Sequence, residues 1–238
     1  MDGAPKTLLL DLGGVVVDVD LAWGREALAN LTGADPGAFD RIFIDSGIKA
    51  AMEVGELDGA SGIAAAHALL GLGTSNDVSV ALNAVLRPRP DVAALIEAII
   101  EGGTEVAVLS NTDPVHSVWI QLHAGISPAR WFFSYELGLL KPDPAIFTAV
   151  LTALDLSPWD VALLDDRADN LGAAASLGIA GSFSGSTGRV FSWATKSHIH
   201  IPPAAAIAAG SSQWTANPSC ATAGRSNQKR SMKRAQIS

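Results

Sequence analysis

Three short apolar runs, each stopping on a polar side chain, constrain this chain more than any other feature. Thr7–Asp11 reads TLLLD, Val106–Ser110 reads VAVLS and Val161–Asp166 reads VALLDD. Continuous apolar runs of this length, separated by helical periodicity, are strands of a parallel sheet buried on both faces. Trp131–Tyr135 and Ile179–Phe183 are weaker strand candidates. Helical segments lie between them. Asp91–Glu101 puts Val92, Leu95, Ile96 and Ile99 on one face and stops at Gly102-Gly103. Asp143–Leu154 opens with an acid and Pro144, which suits a first helical turn. Asn170–Leu177 is a short alanine-rich helix closed by Gly178. The expected fold is α/β, a doubly wound, Rossmann-like parallel sheet.

Residues 18–88 interrupt that alternation directly after the first strand. They read as entirely helical, with Leu21–Leu31, Pro36–Ile44, Gly59–Leu70 and Asp77–Leu86 separated by Gly, Pro and Ser clusters. This predicts an inserted α-helical cap, with Arg87-Pro88-Arg89-Pro90 as the return hinge stiffened by two prolines. The core is then expected over residues 1–17 and 89–183. From Ser184 onward apolar periodicity stops, and residues 184–238 are expected to form a disordered basic tail outside the fold.

Charge follows the same division. Residues 182–238 hold seven Lys and Arg and no acid. Setting those seven aside from 16 basic and 24 acidic residues leaves 9 against 24, a net charge of -15 for residues 1–181. A body that acidic repels nucleic acid, so none is expected as a partner. No window approaches the ~18 apolar residues of a membrane span. Asp2, Asp11, Asp18 and Asp20 break any secretory signal at the N-terminus. The lone Cys220 excludes an intrachain disulfide and a cysteine-built zinc site. These features point to a cytoplasmic protein, while nothing in the sequence sets its oligomeric state.

In an open α/β sheet, ligands bind beyond the carboxyl ends of the strands. The polar residues there are Asp11, Ser110 with Asn111, and Asp165 with Asp166, while Lys141 lies in a loop before a helix. Clustered carboxylates suit Mg2+, a hard cation that takes oxygen ligands. A lysine and a serine beside it suit a phosphate dianion, and a strand-end carboxylate is also a capable nucleophile.

Four ordered segments carry a family resemblance. Asp11-Leu-Gly-Gly-Val-Val, Leu109-Ser-Asn-Thr, Gly138-Leu-Leu-Lys-Pro-Asp-Pro-Ala-Ile-Phe and Leu164-Asp-Asp-Arg-Ala-Asp-Asn resemble the four motifs of the haloacid dehalogenase-like hydrolase superfamily. The insertion is similar to that superfamily's first type of helical cap. DLGGVVVDVD, LSNTDPVH and LLDDRADN most resemble the bacterial α-glucose-1-phosphate phosphatase-like branch. The resemblance implies that Asp11 is the nucleophile that becomes phosphorylated and Ser110 the phosphate-binding hydroxyl. It further implies that Asn111 supports that phosphate through its loop, and that Lys141 neutralises nucleophile and phosphate. Asp166 would ligate Mg2+ with Asp11 and the Gly13 backbone carbonyl, and Asp165 would be a ligand or a support beside it. Glu53, Gly55 and Glu56 are expected in a cap loop that selects the substrate.

Gly13 departs from the superfamily, most of whose phosphatases carry a second Asp there as general acid and base. Losing such a group typically costs ~10²–10⁴-fold in rate. The expected function is hydrolysis of a small phosphorylated metabolite, a sugar phosphate by resemblance, through an aspartyl-phosphate. The alternatives are a 2-haloacid (C–halogen) hydrolase of the same fold and a catalytically weak protein that binds a phosphometabolite or a partner. Several features have bland readings. His67, His116 and His123 read as packed or exposed histidines. Gly71-Leu-Gly-Thr-Ser-Asn follows a helix rather than a strand and is no dinucleotide site.

Overall fold

A computed structural model describes residues 5–183. The expected tail over 184–238 lies outside the described residues. Five parallel strands form the main sheet: β1 (Thr7–Leu10), β4 (Glu105–Ser110), β5 (Arg130–Phe133), β6 (Val161–Asp165) and β7 (Ala180–Phe183). Their spatial order is β5-β4-β1-β6-β7, with β1 paired to both β4 and β6. The chain therefore winds outward from β1 to one edge, returns, and winds to the other. That reversal beside β1 is the topological switch point at which α/β sheets hold their ligands.

Alternation along the strands divides the core into two layers. Leu8, Leu10, Val106 and Val108 face α6 (Pro90–Glu101) and α7 (Pro114–His123), in one cluster with Val92, Ile96, Ile99 and Ile120. Leu9, Ala107, Leu109 and Leu163 face the opposite way. There they meet Ile146, Phe147 and Val150 of α9 (Pro144–Leu154) and Ala174 of α10 (Ala168–Ser176). Burial on both sides is why these strands read as unbroken apolar runs.

The insertion contributes α1 (Leu21–Thr32), α2 (Ala38–Asp40), α3 (Ile48–Glu53), α4 (Gly59–Leu70) and α5 (Ser75–Asn83). Leu28, Phe39, Phe43, Met52 and Leu82 join the first core layer, so these helices share one continuous apolar cluster with the sheet. Local chemistry sets the helix ends. Asp20 caps α1 by accepting from the Ala22 amide. Gly71 closes α4 in the left-handed conformation, and Thr74 with Asp77 forms a capping box for α5. The Gly71–Asn76 segment is thus helix punctuation.

Several expectations need correction. The insertion is not entirely helical, because β2 (Val17–Val19) and β3 (Leu86–Pro88) pair antiparallel where the chain leaves and re-enters the core. Leu86 therefore belongs to a strand, and α5 stops at Asn83. Side-chain bonding secures this crossing as well as the prolines: Arg89 Nη1 donates to the carbonyls of Gly14 (3.1 Å) and Val15 (3.0 Å). Pro36–Ile44 yields only the single turn of α2, followed by a π-helical turn over Arg41–Asp45. The strand expected over Trp131–Tyr135 ends at Phe133, and Ser134–Leu137 forms α8, a single helical turn. Its Ser134 Oγ accepts from the Thr112 amide (3.0 Å) and donates to the Glu53 carbonyl (2.7 Å), which fixes the chain's change of direction. Among the described residues no helix is long and apolar enough to cross a membrane.

Gly24 shows how tightly the insertion packs. A Cβ there would lie 2.6 Å from the Phe39 ring and 2.6 Å from Val85 Cγ1. Both neighbours are rigid and buried, so Gly24→Ala should overpack this contact by ~1–3 kcal/mol. A melting temperature lowered by several degrees is expected by calorimetry, and an unchanged one would refute the packing argument.

Candidate active site

Strand β1 ends at Leu10 and delivers Asp11 to the switch point; β4 delivers Ser110 and β6 delivers Asp165. One oxygen each of Asp11, Asp165 and Asp166 falls within 4.8 Å of the others. Lys141 enters from the loop before α9 with its side chain 1% exposed. Its Nζ lies 2.8 Å from Asp11 Oδ1 and 2.9 Å from Asp165 Oδ2, and donates to the Leu109 carbonyl at 3.0 Å. All three ammonium protons therefore have acceptors.

The loops hold this arrangement through reciprocal bonds. Asn111 Nδ2 donates to the Lys141 carbonyl (2.8 Å), and the Lys141 amide donates to Asn111 Oδ1 (2.8 Å). The Asn111 amide thus anchors Lys141. Asp165 Oδ1 accepts from the Arg167 amide (2.9 Å) and from Asn170 Nδ2 (2.9 Å), and Oδ2 accepts from Lys141 and Asn170. Asp165 is consequently saturated by protein donors, which leaves Asp11 and Asp166 the freer carboxylates of the cluster. Asp166 lies over Gly14, where φ is +71° and an added Cβ would sit 2.0 Å from Asp166 Oδ2. Only a glycine at 14 provides both the left-handed turn and the room.

Electrostatics reinforce the geometry. Burial pushes the Asp11 carboxyl up to about 6; Lys141 pulls it down and Asp165 adds to the rise. Burial and the neighbouring Asp165 also raise Asp166. Burial alone would lower Lys141, but Asp11 and Asp165 outweigh it and keep the ammonium charged. Three carboxylates against one ammonium leave a charge of -2 on these four residues, and like charges so close are costly without a cation.

The donor set fits a hard divalent cation such as Mg2+, because it consists of oxygens. The Oδ1 atom of Asn170 supports the fit independently: it is buried without a hydrogen-bond partner in the residue that grips Asp165. Asp11, Gly13, Gly14, Ser110, Lys141 and Asp166 line a common cup of about 410 Å³, together with Glu53, Asn111, Arg167 and Asn170.

Nearly every strand-end residue singled out in the sequence is therefore brought together. The loop expected at 53–56 is not. Glu53 faces the cup, but Gly55 packs against the Tyr135 carbonyl, which leaves no room for a Cβ, and Glu56 is exposed.

Sequence reasoning missed a second polar cluster behind the cup. Lys49 Nζ contacts the Glu53 carboxylate and lies 3.2 Å from Asp113 Oδ2, and His116 Nδ1 lies 2.9 Å from the same Asp113 oxygen. His116 Nε2 is 3.0 Å from the Leu82 carbonyl. Burial works against ionisation of Asp113, yet His116 and Lys49 overcome it and hold the carboxyl far below the usual range. Two signals were available: Asp113 precedes Pro114 as a helix cap, and Lys49 and Glu53 stand four residues apart.

Known proteins share this fold. A family model, haloacid dehalogenase-like hydrolase, matches residues 5–178. A HAD family enzyme from Bacteroides thetaiotaomicron, solved in complex with magnesium and inorganic phosphate, is 25% identical with a TM-score of 0.68, covering 75% of this chain and 93% of its own. A predicted HAD-like family hydrolase from Porphyromonas gingivalis (19% identity, TM-score 0.64, 76% and 91% coverage) shares the fold. So does an L-2-haloacid dehalogenase (24%, 0.57, 75% and 83%). Acyl-CoA dehydrogenase family member 10 of Mus musculus is 52% identical over 42 residues, or 18% of this chain; the match spans 4% of that protein's length. The family match runs from just before β1 to the end of α10 and takes in every residue of the carboxylate–lysine cup: this chain belongs to the haloacid dehalogenase-like hydrolases.

Proposed function

We propose that the protein is a Mg2+-dependent phosphomonoester hydrolase acting on a small phosphorylated metabolite, with a sugar phosphate as the first class to test. The observation that carries this reading is the net charge of -2 on Asp11, Asp165, Asp166 and Lys141. A phosphate dianion can enter such a cup only together with a cation. The magnesium and phosphate bound by the Bacteroides thetaiotaomicron enzyme support the same reading.

Each residue then has a physical task. Asp11 attacks phosphorus in line, forming an aspartyl-phosphate that water hydrolyses. Lys141 balances the charge of Asp11 and Asp165 and keeps Asp11 oriented. Ser110 hydrogen-bonds a phosphate oxygen, and Asn111 holds the Lys141 loop against the end of β4. Asp11, Asp166 and the Gly13 carbonyl would hold Mg2+, with Asp165 steadying Lys141 beside them. The bound cation would neutralise phosphate oxygens as charge redistributes. From the insertion, Val19 of β2 and Glu53 of α3 line the cup.

The competing C–halogen hydrolysis would use Asp11 on carbon and needs no cation, so the carboxylate cluster disfavours it. The weak-binder alternative, prompted by Gly13, predicts phosphorylation of Asp11 without turnover.

Asp11→Asn should abolish phosphatase activity while the melting temperature holds, since an amide cannot form the acyl phosphate. Activity near wild type would end the covalent mechanism. EDTA should likewise abolish activity and Mg2+ restore it, with Asp166→Ala weakening Mg2+ affinity severely by titration calorimetry. Full activity in EDTA would promote the dehalogenase reading. The pH dependence has a definite sign. Asp11 holds a proton below about 6, and Mg2+ must displace it. The apparent Mg2+ affinity should therefore be steady above that pH and fall as pH drops through it. A pH-independent affinity between 5 and 7 (roughly one unit either side) would contradict this placement of the charge.

A further inference from the structure

Cleaving a phosphomonoester requires a proton for the leaving oxygen and an acceptor for a proton of the attacking water. Gly13 offers no side chain for either task. The cup adjoins a second cavity of about 210 Å³. Aliphatic side chains from Val17, Leu21, Val85, Leu86 and Ile120 wall much of it. With phosphate in the cup and its organic group in this chamber, the leaving oxygen crosses the border between them. Gly13, Val19, Glu53, Ser110 and Asn111 line both cavities, and Glu53 is the one carboxylate among the five.

Resting on the phosphatase reading, we propose that Glu53, supplied by the insertion, is the acid–base residue of this active site. In the first half-reaction a bond forms between an Asp11 oxygen and phosphorus while the bond from phosphorus to the leaving oxygen breaks. The Glu53 carboxylic acid gives its proton to that leaving oxygen. In the second, the water oxygen bonds to phosphorus and the phosphorus–Asp11 bond breaks, returning its electron pair to the Asp11 carboxylate. Glu53 takes the water's proton and is ready for another cycle.

The surroundings of Glu53 suit this task, and its rivals are engaged elsewhere. Its backbone carbonyl is tied to Ser134 at 2.7 Å, which fixes the end of α3 against the core. Its carboxylate rests on Lys49, itself anchored to the buried Asp113, a pairing that favours the carboxylate form needed to take the proton of water. With its side chain 28% exposed, it can exchange protons with solvent. Lys141 has three acceptors for its three protons, and Asp165 is saturated. His116 has both ring nitrogens against acceptors and its side chain is 6% exposed.

The test uses p-nitrophenyl phosphate with Mg2+, because nitrophenolate leaves without needing a proton. Glu53→Gln should release a rapid burst of one nitrophenolate per enzyme and then turn over ~10²–10⁴-fold more slowly than wild type. The stalled variant should carry one phosphoryl group by intact mass. Glu53→Ala should behave alike and regain turnover with added formate, which also guards against a folding defect peculiar to the glutamine variant. Wild-type steady turnover in Glu53→Gln would overturn the proposal. So would burst and steady rate falling together, or an alanine variant that formate does not rescue, since those mark a structural role. A wild-type protein that never becomes phosphorylated would instead remove the phosphatase reading, and this proposal with it.

Discussion

Everything at the switch point depends on one buried ammonium. Lys141 bridges Asp11 and Asp165 with 1% of its side chain exposed, and its third proton goes to the end of β4. A charge in that position is tolerable only while its acceptors are in place, and removing one partner of a buried pair costs ~3–5 kcal/mol. Conversely, Asp11 and Asp165 could not both stay ionised there without it. The ends of β1, β4 and β6 and the loop before α9 are therefore held by a single cation. The site is coupled to the fold as well as placed on it.

A second charged relay joins the insertion to the sheet. Lys49 and Glu53 belong to α3, while Asp113 and His116 belong to the start of α7. The Leu82 carbonyl of α5 completes the series. Burying ions is costly unless each is paired, and here every member is paired. Leu28, Phe39, Phe43 and Met52 continue the apolar core from the sheet into the insertion. Apolar contact thus holds the two layers together, while the relay fixes which residues of the insertion meet the cup.

Much of this was legible in the sequence, for physical reasons. Doubly buried strands must be apolar along their whole length, so TLLLD, VAVLS and VALLDD announced β1, β4 and β6 and the polar residues at their ends. The helices α1, α4, α6 and α9 were visible through their periodicity and caps. What escaped was short or long-range. The six-residue α3 has too few turns to show a period, and the β2–β3 ribbon depends on a pairing between residues some seventy apart, about Val17 with Pro88. Whether Asp165 was a ligand or a support beside Asp166 stayed open in the sequence, and the donors around it, Asn170, Arg167 and Lys141, now mark it as the saturated one. The need for glycine at 14 was not legible at all, because it arises from Asp166, which occupies the space a side chain there would need.

The central position of β1 also shapes how the chain reaches this structure. Leu8 pairs with Val106 on one side and with Ala162 on the other. Both partners are made long after β1 itself, because the whole insertion separates it from its nearest neighbour in the sheet. Pairings so distant in sequence carry a loop-closure cost before they contribute stability, which makes folding slow. During synthesis, β1 emerges first and has no strand to pair with. Leu8 and Leu10 face α6 and α7, which are made only after the whole insertion. The insertion thus lengthens the interval before β1 is paired and packed, a folding cost of building part of the active-site wall directly after the first strand.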